Sequence, residues 1–455
     1  MDKEITNING QTGGNIPDGL PIPSRYWAIL AIGLGVTVSV LDGAIANVAL
    51  PTIAGDLHTS PSASIWVVNA YQLAITISLL SLSSMGEIWG YRKVYTIGLL
   101  LFSCTSLACA LSDSLFTLII ARTLQGFGAA AIASVNTALI RIIYPKRFLG
   151  RGMGINALVV SVSAAAGPTI AAGILSVGNW PWLFAINIPI GITALILSFK
   201  FLPQNPVKAV GRKFDVTAAL MNALTFGLVI AIIEAFTHDV HISLIVAAIV
   251  IVLFCGYFYV RREKRQAYPL LPIDLLRIPL FTLSIITSVF SFIAQMLAMV
   301  SFPFFLQRVL GRDEVATGLL LTPWPLATMV CAPLAGILSE KMNAGVLSGI
   351  GLAELPAHPS DLDIIWRMAL CGCGFGLFQT PNNSLMIGAA PESRSGGASG
   401  MLGTARLLGQ TCGASLVALM FKLFPGHSMP AALWLGSVLA LIGAVISFSR
   451  INRKA

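Results

Sequence analysis

The sequence predicts an all-α membrane protein, and three observations support that prediction. The chain has 455 residues, of which 56% are hydrophobic and only 10% are charged, whereas a soluble protein carries about 25% charged residues. Apolar segments follow one another along the whole chain, and most approach the length of about 20 residues that a transmembrane helix needs. The alternating polar and apolar residues of a membrane β-barrel are absent from the sequence.

Fourteen apolar segments are candidate spans. The eleventh is short, because its apolar part, Val346–Ala353, is far below the about 20 residues that cross a hydrocarbon core of about 30 Å. A shortened crossing is one interpretation, and a re-entrant or interfacial segment is the other. The predicted spans cover residues 26–50, 65–86, 94–112, 115–140, 153–176, 182–202, 216–237, 241–260, 281–306, 315–338, 345–355, 364–387, 397–421 and 429–449.

The net charge of +9 raises the question of nucleic-acid binding, but the basic residues are in the wrong places for it. They form short clusters between the apolar segments, which is typical of the cytoplasmic loops of membrane proteins and not of a continuous basic surface. Fourteen crossings with a cytoplasmic N-terminus would leave only Arg308, Arg312 and Lys422 outside and place Arg122, Arg367 and Arg406 within spans. The charge distribution therefore predicts two cytoplasmic termini and no nucleic-acid partner.

A weak internal repeat predicts two halves of six spans. Ser83–Glu87 follows the second span, and the similar string from Gly336 to Glu340 follows the tenth. Duplicated halves are typical of transporters. The predicted organisation is a cytoplasmic tail (1–25), an N-terminal six-helix bundle (26–205), two extra central helices (206–265), a C-terminal six-helix bundle (266–450) and a short cytoplasmic tail (451–455).

Asp42 is the first candidate functional residue, because it lies in the middle of an apolar span. A carboxylate at that depth costs several kcal/mol unless it is protonated, paired or exposed to a polar cavity. Arg122, in the fourth span, is an equally costly charge. Counting 1.5 Å per residue from the predicted ends of the spans puts both at roughly 12–13 Å from the same side of the membrane. The two are therefore predicted to pair or to share a cavity, with Gln125 one helical turn from Arg122.

Further residues are predicted to control conformation or to line a substrate cavity. The residues from Gly86 to Lys93, Glu87 among them, are predicted to form the loop between the second and third spans, in which Gly90 would allow a tight turn. Pro168 would bend the fifth span. Aromatic side chains could face a lipophilic cation. The candidate conformational residues are Glu87, Gly90, Arg92, Gly167, Pro168, Gly336 and Glu340. The candidate cavity residues are Asn47, Tyr71, Gln72, Gln125, Gln379, Asn382 and Arg406.

These strings resemble the major facilitator superfamily, and within it the fourteen-span drug:proton antiporters. The resemblance rests on Leu41-Asp42 with Ala49-Leu50-Pro51, on Arg122 with Gln125-Gly126, on Gly167-Pro168, and on Trp182-Leu183-Phe184 with Asn187-Ile188-Pro189. It implies a major facilitator fold of two six-helix bundles plus two extra helices. It also implies that Asp42 is the proton-linked carboxylate and Arg122 its relay partner. The chain departs from the family pattern at Glu87, Ser83, Ser163 and Ala171-Ala172.

The sequence therefore predicts a proton-coupled multidrug antiporter, not an enzyme, that exports lipophilic cations from the inner membrane by alternating access. Its partners would be protons, a drug-like small molecule and the lipid bilayer, and it would act as a monomer without a metal or cofactor. No ATP-binding or metal-binding motif is visible. Two alternatives stay open: a carrier of another substrate, by metabolite or siderophore export or by symport, and a variant whose transport is impaired by the short eleventh span.

Overall fold

Long helices make up nearly all of the chain that the computed structural model describes, namely residues 19–204, 214–235, 241–264, 266, 273–338, 359–390, 395–424 and 428–451. The N-terminal half contains α1 (Ser24–Asp56), α2 (Pro61–Ser64), α3 (Trp66–Trp89), α4 (Tyr91–Ala110), α5 (Leu115–Ile143), α6 (Leu149–Leu175), α7 (Pro181–Ala185) and α8 (Asn187–Phe201). A central pair follows, α9 (Val216–Ala235) and α10 (Ile242–Glu263). The C-terminal half contains α11 (Pro279–Phe304), α12 (Glu314–Leu321), α13 (Pro323–Leu338), α14 (Asp361–Ala389), α15 (Ser395–Leu423) and α16 (Ser428–Ile451).

The prediction of an all-α membrane protein is confirmed, and within the described residues ten helical segments are long and apolar enough to cross a membrane. Three of the other predicted spans are helical but do not meet that measure. The tenth is divided at Thr322 into α12 and α13, while α14 and α15 carry polar residues such as Asn382 and Arg406 in their middle turns. The eleventh predicted span, 345–355, and Glu340 lie outside the described residues.

Local sequence signals set several helix ends. Ser114 and Thr117 form a capping box at the start of α5, and Asp313 accepts the Ala316 N–H at 2.7 Å at the start of α12. Gly90 alone joins α3 to α4, and its φ of 110° is strained for any residue with a side chain. The expectation that Glu87 lies in a loop is wrong, because α3 continues through Trp89. The junction therefore consists of one glycine.

Packing divides the helices into groups. In the N-terminal half, α5 packs on α3 and α4, while α1 packs on α6 and α8. In the C-terminal half, α11 packs on α15 and α16, and α13 packs on α14. The central pair packs together, and α9 also contacts α3 and α15, one helix from each half. The Arg92 guanidinium donates to the carbonyl oxygen of Phe199 and so satisfies a terminal carbonyl of α8.

The two ends of the bundle differ in charge. We use "basic face" for the end that holds Arg92, Arg141, Arg151 and Lys200, and "opposite face" for the other end. The Arg312–Asp361 ion pair, with a nitrogen–oxygen distance of 2.5 Å, fixes the start of α14 beside the start of α12 on the opposite face. Thr328 of α13 donates to the Gly372 carbonyl of α14 at 3.0 Å. Because the segments also begin side by side at Arg312 and Asp361, α13 and α14 run in the same direction. Leu338 and Asp361 consequently lie at opposite ends of the bundle.

The halves meet along two pairs of helices and, at the opposite face, through α1. Between α3 and α15, Asn69 donates to Ser415 at 3.1 Å, and the Thr76 and Thr411 hydroxyls are 3.2 Å apart. Between α6 and α12, a Cβ at Gly318 would collide with the Pro168 carbonyl oxygen. Thr52 of α1 donates to Glu314 at 3.3 Å. Any transport motion must break or slide these contacts.

Gly167 lets α6 cross α1 closely, and its replacement should separate the two helices. A Cβ at this position would collide with the Ala44 Cβ, so Gly167→Leu should destabilise the protein by about 1–3 kcal/mol and lower its transport rate. Gly173 on the same helix is a matched control, because a Cβ there would meet no atom within 4 Å. Thermal unfolding of the purified variants checks this prediction. Equal unfolding temperatures for Gly167→Leu and Gly173→Leu would contradict it.

Candidate functional site

An ion pair lies at the centre of the N-terminal half. The Arg122 Nη1 atom of α5 donates to the Asp42 Oδ2 atom of α1. Both side chains are sealed from solvent, with 0% of Arg122 and 1% of Asp42 exposed. A buried ion pair of this kind is costly unless further hydrogen bonds satisfy its remaining atoms. The depth calculation from the sequence placed these charges at one level, and the structure places them in direct contact.

Gln125 links both members of the pair to α4. Its Nε2 donates to Asp42 Oδ1 at 3.1 Å and to the Ser106 hydroxyl at 2.8 Å. Its Oε1 accepts from Arg122 Nη1 at 2.7 Å and from the Cys109 thiol at 3.5 Å. The side chain of Gln125 is therefore fully used, which fixes the geometry of the carboxylate and of the guanidinium together. Gln125, which was predicted to line a substrate cavity, is buried in this structure and belongs to the hydrogen-bond network around the ion pair.

Asn187 supplies another donor to the carboxylate. It is the first residue of α8, and its Nδ2 lies 2.8 Å from Asp42 Oδ1. The Asn187 side chain is fully buried, and its Oδ1 has no hydrogen-bond partner among the described residues. Asp42 consequently receives hydrogen bonds from three side chains on two helices, namely Arg122 and Gln125 on α5 and Asn187 on α8. Such a set of donors stabilises the ionised carboxylate.

The remaining surroundings of Arg122 are aromatic and backbone groups. Its Nε donates to the Val67 carbonyl oxygen at 3.0 Å. Its guanidinium carbon lies 4.1 Å from the centre of the Tyr71 ring and 5.4 Å from that of Phe184, within the range of cation–π attraction. The Arg122 Nη2 is buried without an acceptor among the described residues. The guanidinium is thus held by α3 and α7 as well as by α1.

The other predicted cavity residues do not form one group. Asn382 is buried between α14 and α11, where its amide donates to the Ser288 hydroxyl at 2.7 Å, so it joins helices within the C-terminal half. Asn47 and Gln379 are half-buried, and Gln72 is buried on α3. The amide oxygens of Asn47 and Gln72 have no partner among the described residues. These two oxygens are free to accept a hydrogen bond from a ligand or water.

Arg406 is a cation of the C-terminal half, on the helix that packs against α3. It lies on α15, is partly exposed, and acts electrostatically on the Tyr71 hydroxyl, as do Asp42 and Arg122. Its Nε is buried without an acceptor, and no ion pair to Arg406 occurs among the described residues. Tyr71 is therefore near charged groups of both halves, Asp42 and Arg122 in one and Arg406 in the other.

Sequence reasoning missed several participants in this site. Asn187 was part of a signature string but not of the predicted site, and Ser106, Cys109 and the Val67 carbonyl were not predicted at all. Each of these contacts joins residues that are distant in sequence. The only available signal for Asn187 was an amide next to Pro189 in an apolar span.

Comparison with known proteins assigns the family. The profile described as "Major Facilitator Superfamily" matches residues 32–414. The chain belongs to the major facilitator superfamily. It is 60% identical over 446 residues to the "Uncharacterized transporter YebQ" of Escherichia coli (strain K12), a match that covers 96% of this chain and 98% of that protein. A carrier, and not an enzyme, is therefore the class of protein to which this chain belongs.

More distant relatives differ in what they carry. The chain is 31% identical to the "Multidrug resistance protein Stp" of Mycobacterium tuberculosis (strain ATCC 25618 / H37Rv), over 87% of this chain and 75% of that protein. It is 29% identical to the "Riboflavin transporter RibZ" of Clostridioides difficile (strain 630), over 93% and 97% of the two chains. Among solved structures, a POT family transporter in complex with a thioalcohol-conjugated peptide superposes with a TM-score of 0.70 at 15% identity, over 93% and 96% of the chains. That likeness shows the fold.

Proposed function

We propose that this carrier is a proton-coupled antiporter that exports lipophilic small molecules by alternating access. The observation that carries the proposal is the enclosed Asp42–Arg122 pair, a carboxyl and a guanidinium sealed inside the helical bundle, where the gain or loss of a proton would change the local charge. A multidrug resistance protein among the relatives supports the substrate class. A riboflavin transporter among them supports the alternative of a carrier of another substrate.

The mechanism follows from what protonation does to the pair. In the structure the contact between the Asp42 carboxyl group and the Arg122 guanidinium joins α1 to α5. A proton on Asp42 removes the charge that attracts the guanidinium, so Arg122 and the helices it links gain freedom to shift. Binding of substrate in the cavity would favour the arrangement in which the proton has left. Coupling then arises because each event changes the stability of the same two arrangements.

The contacts between the halves identify what must move. Thr52–Glu314 and Thr169–Thr322, at 3.3 and 2.9 Å, tie α1 and α6 to α12 near the opposite face. They would break when the transporter opens on that side. Asp42 lies on α1 and Arg122 on α5, so a change in their pairing acts on a helix that carries one of these contacts. The protonation of Asp42 and the contacts that close the opposite face would therefore be linked through α1.

The predicted preference for cations is a separate part of the proposal. A cation that reached Asp42 would have to displace Arg122, and Arg406 adds a positive charge near Tyr71. Substrates that combine an aromatic body with a delocalised charge would feel this repulsion least, and displacement of Arg122 would leave them the Tyr71 ring to stack on. Ethidium has these properties and is the first compound to test.

We propose further that the protein is a monomer in the bacterial inner membrane, with its basic face and both termini in the cytoplasm and fourteen crossings. The opposite positions of Leu338 and Asp361 support the even number of crossings. Single cysteines placed at Lys93 and Asp361 in a cysteine-free background test the orientation. An impermeant thiol reagent added outside cells should label the cysteine at 361 and not the one at 93. The reverse pattern, or labelling of both, would contradict this topology.

A drug-accumulation assay tests the function itself. Cells that express the protein should accumulate less ethidium than cells with an empty vector, because export lowers the internal concentration. An uncoupler that collapses the proton gradient should raise accumulation to the level of the empty vector. Low accumulation that persists with the uncoupler would refute proton coupling. If cells with the protein and cells with the empty vector accumulate equal amounts of ethidium in the absence of the uncoupler, a riboflavin-type carrier or a transport-impaired chain would be favoured. Transport assays with a panel of metabolites would separate those two.

A further inference from the structure

Asn187 has one side-chain atom in use and one idle, and both lie next to the proton-linked carboxylate. Its Nδ2 donates to Asp42 Oδ1 at 2.8 Å. Its Oδ1 belongs to the same amide, is buried, and has no partner among the described residues. An idle buried acceptor destabilises a folded protein, so its presence beside a titratable group indicates that another state of the site uses it.

A proton on Asp42 needs an acceptor inside this sealed site. A protonated carboxyl becomes a donor, and Arg122 offers only donors. The Gln125 Oε1 already accepts from Arg122 at 2.7 Å and from the Cys109 thiol. The Tyr71 hydroxyl donates to the Ser39 carbonyl at 3.0 Å. Of the groups bonded to Asp42, only Asn187 has an acceptor that is not already taken.

We propose that Asn187 is a positioning residue that serves both protonation states of Asp42 by turning its amide. With the carboxylate ionised, Nδ2 donates to it, as in the structure. When Asp42 gains a proton, a half-turn about the last side-chain bond brings Oδ1 into the place of Nδ2, and the acid O–H donates to it. No bond breaks other than hydrogen bonds, and the proton stays on Asp42. This inference rests on the proposed role of Asp42 as the proton carrier.

The charged and titratable neighbours of Asp42 do not provide another acceptor for its proton. The titratable or charged groups that face Asp42 are Arg122 on α5, Tyr71 on α3 and Cys109 on α4. The other helices packed on α1 contain no titratable residue near Asp42, since Arg151 is at the start of α6, Lys200 is at the end of α8, and α7 and α11 have none. Glu314 of α12 accepts a hydrogen bond from Thr52 toward the opposite face. The local hydrogen bonds that change between the two protonation states of Asp42 are therefore those of Arg122, Gln125 and Asn187.

Gln125 provides a matched comparison, because it also donates to Asp42 Oδ1 but has no idle acceptor. A residue that only donates to the carboxylate stabilises the ionised state alone. Its removal should raise the proton affinity of Asp42 by about tenfold, or about one pH unit. A residue that serves both states stabilises each of them, so its removal should shift the balance much less. The two amides are thus expected to behave differently although both bond to one oxygen atom.

Infrared spectroscopy of the full chain in lipid can measure this difference. The C=O band of the protonated carboxyl, assigned by subtracting the spectrum of Asp42→Asn, is followed as the pH is lowered. We expect the midpoint of its appearance to rise by about one pH unit in Gln125→Leu and by less than half of that in Asn187→Leu. The band should also move to higher frequency in Asn187→Leu, because the acid O–H has lost its acceptor. Asn187→Ser, whose hydroxyl donates or accepts, should restore part of that frequency shift.

The outcomes separate this inference from the function on which it rests. A midpoint shift in Asn187→Leu as large as that in Gln125→Leu, with an unchanged band frequency, would show that Asn187 only donates and would overturn the inference alone. Complete absence of a band that depends on Asp42 in the unmodified protein would overturn the proton-carrier role and the inference with it. Thermal unfolding of each variant shows whether the protein measured is folded.

Discussion

Asp42→Asn is expected to abolish proton-coupled efflux while leaving the protein in the membrane. The asparagine side chain has nearly the same shape as the aspartate and can still bond to Asn187 and Gln125, so the bundle should assemble. It cannot gain or lose a proton near neutral pH, and Arg122 would lose the charge that attracts it. Ethidium accumulation in cells that express this variant should equal that of the empty vector, with or without an uncoupler.

Asp56→Asn is the matched control for that experiment. Asp56 lies on the same helix but is exposed at its end on the opposite face, where its charge is solvated. This variant should retain efflux close to that of the unmodified protein. Equal amounts of both variants in purified membranes must be shown by immunoblot. Efflux by Asp42→Asn at the rate of Asp56→Asn would remove Asp42 from the mechanism.

Arg122→Leu is expected to have the second largest effect, and it should be seen in stability as well as in transport. The change leaves the Asp42 carboxylate enclosed without its ion partner, and removal of one member of a buried pair costs about 3–5 kcal/mol. It also leaves the Val67 carbonyl without the Arg122 donor. The purified variant should unfold at a lower temperature than the unmodified protein and should not export ethidium. Arg151→Leu, at an exposed position on the basic face, should unfold nearly as the unmodified protein does.

The double variant separates the loss of a pair from the loss of packing. When Asp42→Asn and Arg122→Leu are combined, no buried charge is left unpaired. The destabilisation of the double variant should therefore be smaller than the sum of the two single effects, by about 0.5–3 kcal/mol, the range in which contacting residues couple. Additive effects would show that the two side chains contribute independently and that their contact has little energetic weight.

The sequence was sufficient for the fold class and for the central pair. Long apolar segments leave a chain little choice but membrane helices, and rare intramembrane charges identify themselves by their cost. Asp42 and Arg122 could be placed at one depth because helical rise is constant at 1.5 Å per residue. The tight turn at Gly90 could also be predicted, because glycine readily adopts a positive φ such as the 110° found there.

The rest of the site depends on how helices rotate and pack, which one sequence does not encode locally. Asn187 and Ser106 reach the pair from α8 and α4 because of the angles at which these helices meet α1 and α5. Asn382 was predicted to line a cavity, yet its rotation on α14 turns its amide to Ser288. Glu87 was predicted in a loop because the polar string from Gly86 to Lys93 does not show where α3 ends. Tertiary packing determined each of these outcomes.

Proton movement in liposomes tests the central claim most directly, namely that one enclosed carboxyl links the two fluxes. The purified protein is placed in liposomes that contain a pH-sensitive dye, and an ethidium gradient is imposed with no initial pH difference. The account predicts that ethidium moving down its gradient drives protons the other way through the unmodified protein. It predicts no proton movement through Asp42→Asn. Ethidium-driven proton exchange of equal rate in Asp42→Asn would contradict the account.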